Sequence, residues 1–222
     1  MNKRLTIPTA PRLRFNPAHT ALVVIDMQRD FVEPGGFGEA RQRRDPAAGI
    51  IPAVRAMLDA WRAVGGTVAA HARRMRPTRP DCPPAKRNCA ATSCASATPG
   101  PHGPHPGGRQ AGAEIVPELA PLPGELVVDK PGKGMALRHA GGRAAARAWH
   151  HPPALHGRDD RGLRADPMRE AMTGATECLI VGDGTESYFP SYKVAALSML
   201  TAQGAIVGWS ATTAEIQQAL PD

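Results

Sequence analysis

The chain is poor in aromatic residues, with four Phe, three Trp and two Tyr among 222 positions, thin material for a packed core. Cysteine is scarce too. The four present, Cys82, Cys89, Cys94 and Cys178, are too few and too irregularly placed for a disulfide framework, and a cytosolic chain would keep them reduced. No apolar run approaches the roughly 20 residues that a membrane span requires, and the first twenty residues lack the apolar centre of a signal peptide. These absences predict a cytoplasmic protein without membrane contact. Acidic residues are outnumbered, 20 against 27 Lys and Arg, for a net charge of +7. The excess is mostly Arg scattered among Ala, Gly and Pro rather than clustered with aromatics, so it reads as a solvated surface and not as a nucleic-acid face.

What is present fits one α/β domain over residues 1–222, a size that one doubly wound sheet fills. Ala21–Ile25 is a continuous apolar run, rich in β-branched residues, that ends abruptly in Asp26, Met27, Gln28, Arg29 and Asp30. This is the pattern of a buried parallel strand with a polar carboxyl end. Asp45 and Pro46 read as an N-cap and first helical position, after which Ile50, Val54, Met57, Leu58 and Trp61 recur at helical spacing until Gly65 and Gly66,. Thr67–Ala70 is the next expected strand, and Glu125–Val128 another, delivering Asp129 and Lys130 to its end. Late in the chain, Glu177–Val181 reads as a strand, Gly182–Pro190 as a loop, Ser191–Gln203 as an amphipathic helix and Ala205–Trp209 as a last strand. The alternation predicts an open, mostly parallel α/β sheet, with any site at the strands' carboxyl ends.

Asp26 stands where such a site is expected, because a half-buried carboxylate beside cations can be tuned for proton transfer. Its bland alternative is a loop-capping Asp. Lys130 is placed to hold Asp26 ionised and to stabilise a developing oxyanion, against the alternative of a solvated lysine. Cys89 and Cys94 with His102 and His105 offer four soft ligands, but their spacing matches no compact zinc motif, and no metal or cofactor is expected. His150 and His151, followed by two prolines, read as a loop. Cys178 lies inside an apolar strand, where cysteine behaves as a small buried hydrophobe.

Taken together, the ordered blocks carry a family resemblance. Ala21 to Gly36 resembles the opening of the isochorismatase-like cysteine hydrolases, Ile115–Pro121 leading to Val127–Gly134 resembles their lysine segment, and Glu177–Pro190 running to Thr201–Ala205 resembles their C-terminal block. The resemblance implies a Rossmann-like three-layer α/β fold, an open, mostly parallel sheet of about six strands flanked by helices. It also implies a triad of Asp, Lys and Cys that cleaves a small amide or ureido bond, with Asp26 as general base, Lys130 as the lysine, and Gln28 and Phe31 as substrate-binding residues. It implies a small-molecule substrate, a homo-oligomer and no cofactor, and the Phe31–Gly36 stretch resembles the branch acting on biuret-like and ureido amides.

The departure from the family pattern lies at the nucleophile. Where the family has Gly-Val-Thr-Thr-Glu-Val-Cys-Val, this chain reads Gly157 to Asp166 without a cysteine. The middle is also short of both helical and strand periodicity, with Trp149 the only aromatic from Ala72 to Ser187. A frameshift accounts for both. If Gly157–Asp166 is encoded GGG CGT GAC GAC CGA GGT CTG CGT GCA GAC, reading one base later gives Gly-Val-Thr-Thr-Glu-Val-Cys-Val, with the cysteine codon straddling Leu163 and Arg164. Permitted codons for Arg147–Gly157 and His102–Arg109 yield apolar, strand-like runs by the same step. Residues 87–110 and 136–168 are therefore read as out of frame. As translated, the middle is expected to lose a core strand, and the chain its activity. The alternatives are a catalytically silent relative that binds a small ligand or pairs with an active homologue, and a basic nucleic-acid-binding protein.

Overall fold

The computed structural model describes residues 5–36, 47–73, 99–100, 103–104, 111–130, 154–159, 177–187 and 189–221. The strands in chain order are β1 (Leu5–Ile7), β2 (Ala10–Phe15), β3 (Ala21–Ile25), β4 (Thr67–Arg73), β5 (Pro99–Gly100), β6 (Gly103–Pro104), β7 (Leu126–Lys130), β8 (Ala154–Asp159), β9 (Leu179–Ser187) and β10 (Trp209–Ala211). The helices are α1 (Arg29–Val32), α2 (Ile51–Ala63), α3 (Pro190–Ala205) and α4 (Thr213–Ala219). Six strands form one sheet in the order β10-β9-β8-β3-β4-β7, and every pair in it is parallel. Counted along the chain, this is the doubly wound order: strands are added on one side of β3 first and on the other afterwards. The order reverses between β3 and β8.

β3 is fully buried because it is covered on both faces, and its alternate side chains separate accordingly. Leu22 and Val24 join a core with Val54, Met57, Leu58 and Trp61 of α2 and Ile216 of α4. Ala21, Val23 and Ile25 join a second core with Cys178, Ile180 and Leu200 of α3. The helix α2 stops as expected at the glycine pair. Gly65 takes φ +69, Gly65 N donates to the Arg62 carbonyl at 3.0 Å and Gly66 N to the Trp61 carbonyl at 2.9 Å, a Schellman closure,. A side chain at Gly66 would also collide with the Trp61 indole, whose Nε1 donates to the Thr67 carbonyl at 3.0 Å.

Several boundaries differ from those expected. The helix α2 begins at Ile51, after a short 3-10 turn over Ala47–Ile50 and with Pro52 in its first turn; Asp45 and Pro46 lie outside the described residues. β4 runs on to Arg73 and β7 to Lys130, because the two strands pair as far as Arg73 and Lys130. β8 occupies the centre of the sheet where a lost strand was expected. Its sequence, ALHGRD, has little strand character, but pairing to β3 on one side and β9 on the other supplies what propensity does not,. β9 continues to Ser187 rather than ending in a loop at Gly182. Its register against β8 slips between Leu155/Ile180 and Gly157/Thr185, and Thr185 Oγ1 bridges the slip by donating to the Val181 carbonyl at 2.8 Å. The last strand falls at Trp209–Ala211, after a break in α3 where Ala202, Gln203 and Gly204 leave helical geometry.

The hairpin β1–β2 and the helix α4 were not expected from the sequence. The hairpin packs on α4 and β10, and Phe15 stacks on Trp61 with centroids 6.2 Å apart. The helix α4 is fixed by a capping box between Thr212 and Glu215, and by Asp183, whose Oδ1 accepts from Thr213 N at 2.8 Å and from Thr213 Oγ1 at 3.0 Å. No described helix is long and apolar enough to cross a membrane.

Candidate active site

The carboxyl ends of β3, β4, β7, β8 and β9 share one edge of the sheet, because all are parallel. Asp26 follows β3 directly at this edge, beside the reversal of strand order between β3 and β8, where open α/β sheets open a crevice for ligands. It is 5% exposed, and its backbone has φ 55. Left-handed geometry costs a non-glycine residue about 1–2 kcal/mol. Such a conformation persists only where the surroundings hold it, and it gathers at functional sites.

Two neighbours hold it. Upstream, β3 and β4 run in register to Ile25 and His71, and the Asp26 N–H donates to the His71 carbonyl at 3.0 Å. Downstream, Met27, Gln28 and Arg29 are fastened to residues 113–116. Val116 N donates to the Met27 carbonyl at 3.0 Å and Arg29 N to the Glu114 carbonyl at 2.9 Å, with Gln28 and Ile115 as an antiparallel bridge pair. The same segment, through Pro117–Leu119 and Glu125, leads into β7 and so to Lys130.

The expected site residues are placed as follows. Lys130 ends β7, which is separated from β3 only by β4, so the strand ends carrying Asp26 and Lys130 are roughly 10 Å apart. Register sets Lys130 beside Arg73. Gln28 is 0% exposed, and its Nε2 donates to the Ala113 carbonyl at 2.6 Å. Phe31, in α1, belongs to the core that contains α2. Leu163 and Arg164 lie outside the described residues, as do Cys82, Cys89, Cys94, His102, His105, His150 and His151. His71 was not anticipated. It is buried beside Asp26 in the continuation of β4, and a strand ended at Ala70 leaves it in a loop.

Cys178 is the one cysteine among the described residues. It immediately precedes β9, at the amino end of a parallel strand and therefore at the sheet edge opposite Asp26. Burial, assisted by the neighbouring charge of Glu177, pushes its thiol up to about 12. A thiol so placed is an inert core group. The Glu125 carboxyl just before β7 forms an ion pair with Arg62 of α2, Nε to Oε1 at 2.8 Å. Burial raises this carboxyl, but hydrogen bonds from Arg62 and the Leu122 N–H outweigh that and leave it below its ordinary value. The pair ties the lysine strand to α2.

Residues 20–139, more than half of the chain, match the isochorismatase domain. The chain belongs to the isochorismatase family. Among solved structures it is similar to a cysteine hydrolase from Pseudomonas syringae pv. phaseolicola 1448A, with TM-score 0.76 and 18% identity over 99% of this chain and 98% of the other. An isochorismatase family protein from Desulfovibrio vulgaris subsp. vulgaris str. Hildenborough aligns with TM-score 0.71 and 21% identity, over 90% of this chain and 97% of the other. An N-carbamoylsarcosine amidase from Thermoplasma acidophilum aligns with TM-score 0.63 and 17% identity, over 87% and 96%. These neighbours share the α/β fold of this isochorismatase-family chain, a parallel sheet flanked by helices.

Proposed function

We propose that this isochorismatase-family chain is built as a cysteine hydrolase of small amide or ureido C–N bonds, of the biuret-like branch, whose nucleophile is missing from this translation. The observation that carries the reading is Asp26, a buried carboxylate with a left-handed backbone at the carboxyl end of β3 beside the reversal of strand order. In the reaction, a cysteine thiolate attacks the substrate carbonyl carbon and the C–N bond breaks. Asp26 carries the thiol proton to the departing amine, and water then releases the thioester. Lys130 stabilises the negative charges on Asp26 and the developing oxyanion. The family resemblance assigns Gln28 and Phe31, which follow Asp26 in the chain, to substrate binding, and no metal or cofactor takes part.

The nucleophile position falls on Leu163 and Arg164 in this reading, and the cause is out-of-frame translation of residues 87–110 and again of 136–168, each window opened and closed by single-base insertions or deletions so that the segment with Lys130 stays in frame. Support for the second window, 136–168, comes from the extent of the family match, which stops at residue 139 although similarity of fold runs over 99% of the chain. Resequencing the coding DNA from Ala70 through Glu177 tests it. Single-base errors that restore a Val-Cys-Val segment are expected, and the corrected protein should then hydrolyse members of a panel of carbamoyl and ureido amides. Error-free DNA with unrelated codons removes the frameshift.

A second reading is a catalytically silent binder, favoured by the absence of a cysteine at the carboxyl edge among the described residues. It predicts a ligand-dependent rise in melting temperature without hydrolysis. In either reading the protein works in the cytoplasm as a homo-oligomer. The exposed Tyr192, Val194 and Met199 of α3 support that association, and sedimentation of the purified chain as a monomer would remove it.

A further inference from the structure

The conformation of Asp26 needs a restraint on the residues after it as well as on those before it. β3 and the His71 carbonyl supply the restraint on one side. On the other side, the chain leaves the sheet and could turn freely, yet Met27 and Arg29 are both bonded to the backbone of residues 114–116. Between them Gln28, wholly buried, sends its side chain to the Ala113 carbonyl at 2.6 Å. That bond is shorter than the usual N–H···O distance and joins positions far apart in the chain. Asp30 completes the contact, since it packs so closely on Gly112 that a Cβ there would overlap its carboxylate.

We propose that Gln28 is a positioning residue for Asp26: its carboxamide, held by the Ala113 carbonyl, locks the loop that keeps the Asp26 backbone left-handed at the sheet edge. This goes beyond the substrate contact expected of Gln28, and its catalytic meaning rests on the reading of Asp26 as the proton-transfer group. The carboxamide nitrogen is the working atom, because only a donor satisfies a buried carbonyl.

Site-resolved hydrogen exchange on the full chain tests this without requiring turnover. In Gln28→Met, which keeps the side-chain bulk and removes the donor, the amides of Asp26, Arg29 and Val116 should exchange at least tenfold faster, while those of Val54 to Trp61 in α2 stay within twofold of wild type. Unchanged protection at Asp26 overturns the proposal. Equal acceleration at Asp26 and in α2 also overturns it, since Gln28 would then support only the fold as a whole. Gln28→Glu provides the rescue, and it decides the matter if Gln28→Met does not fold. Its ionised carboxylate repels the Ala113 carbonyl, whereas its protonated form can donate to it, so Asp26 protection factors should recover as pH falls. Protection that does not depend on pH in this variant counts against the proposal. Failure of Asp26 as the catalytic group would appear separately, as unchanged hydrolysis by Asp26→Asn in the reading-frame-corrected enzyme, and would leave the exchange result standing.

Discussion

The backbone N–H of Asp26 donates to the carbonyl oxygen of His71 at 3.0 Å, which extends the β3–β4 ladder by one residue even though Asp26 has already left extended geometry. The left-handed conformation is thus built into the sheet edge. Replacement by glycine should relieve it and replacement by alanine should not. Asp26→Gly is expected to exceed Asp26→Ala in unfolding free energy by about 1–2 kcal/mol, measured by urea denaturation. Equal stabilities would mean that the backbone relaxes once the carboxylate is gone.

Cys178 should govern the alkaline limit of stability. Its ordinary ionisation lies at 9.0 and the folded protein pushes it to about 12. Below pH 9 the thiol is protonated in both states and contributes no pH dependence. Between 9 and 12 the unfolded chain releases a proton that the folded chain retains, so stability falls as pH rises. Denaturation midpoints across this interval should decline less steeply in Cys178→Ala than in wild type. At pH 8, thiol reagents should modify Cys178 only as fast as the protein opens.

The ion pair between Arg62 and Glu125 should show the opposite dependence. The folded Glu125 carboxyl lies below its ordinary 4.5, so its contribution is complete above that value and is lost as pH falls through the folded value, where the unfolded chain has already taken up a proton. Glu125→Gln is expected to cost about 1.5–3 kcal/mol at neutral pH and to flatten the acid limb. Urea titrations at neutral pH and near pH 4 measure both effects.

Gly66 allows no side chain, because the indole of Trp61 occupies the space and Trp61 is itself 0% exposed. Gly66→Ala should therefore cost about 1–3 kcal/mol through forced movement in a filled core. A melting temperature equal to wild type would show that the indole can shift without loss.

The sequence disclosed elements whose signals are local. Five consecutive apolar residues announce β3, a glycine pair closes α2, and the abrupt polar residue after β3 marks Asp26 as a candidate. β8 escaped because ALHGRD is a strand only by virtue of its two neighbours. The later part of β9 escaped because Gly182, Asp183 and Gly184 are turn-forming residues, and the slip that accommodates them depends on β8. Pro8 and Pro11 obscured the N-terminal hairpin. The capping box of α4 is a local signal, legible in Thr212 and Glu215. His71 went unseen for another reason: nothing in its surroundings along the chain shows that Ile25 and Val128 will flank it.

The position of β3 has a consequence for how the molecule assembles. Leu22 pairs with Val68 on one side and with Ala154 on the other, so the first partner is supplied by the next strand of the chain and the second only after most of the chain has been made. Closing so long a loop is slow compared with local pairing. β3, α2, β4 and β7 can come together as a nascent half while the other side of β3 waits with an unpaired edge. During synthesis, that waiting edge is the point at which a chaperone, or a second unfinished chain, would compete with β8.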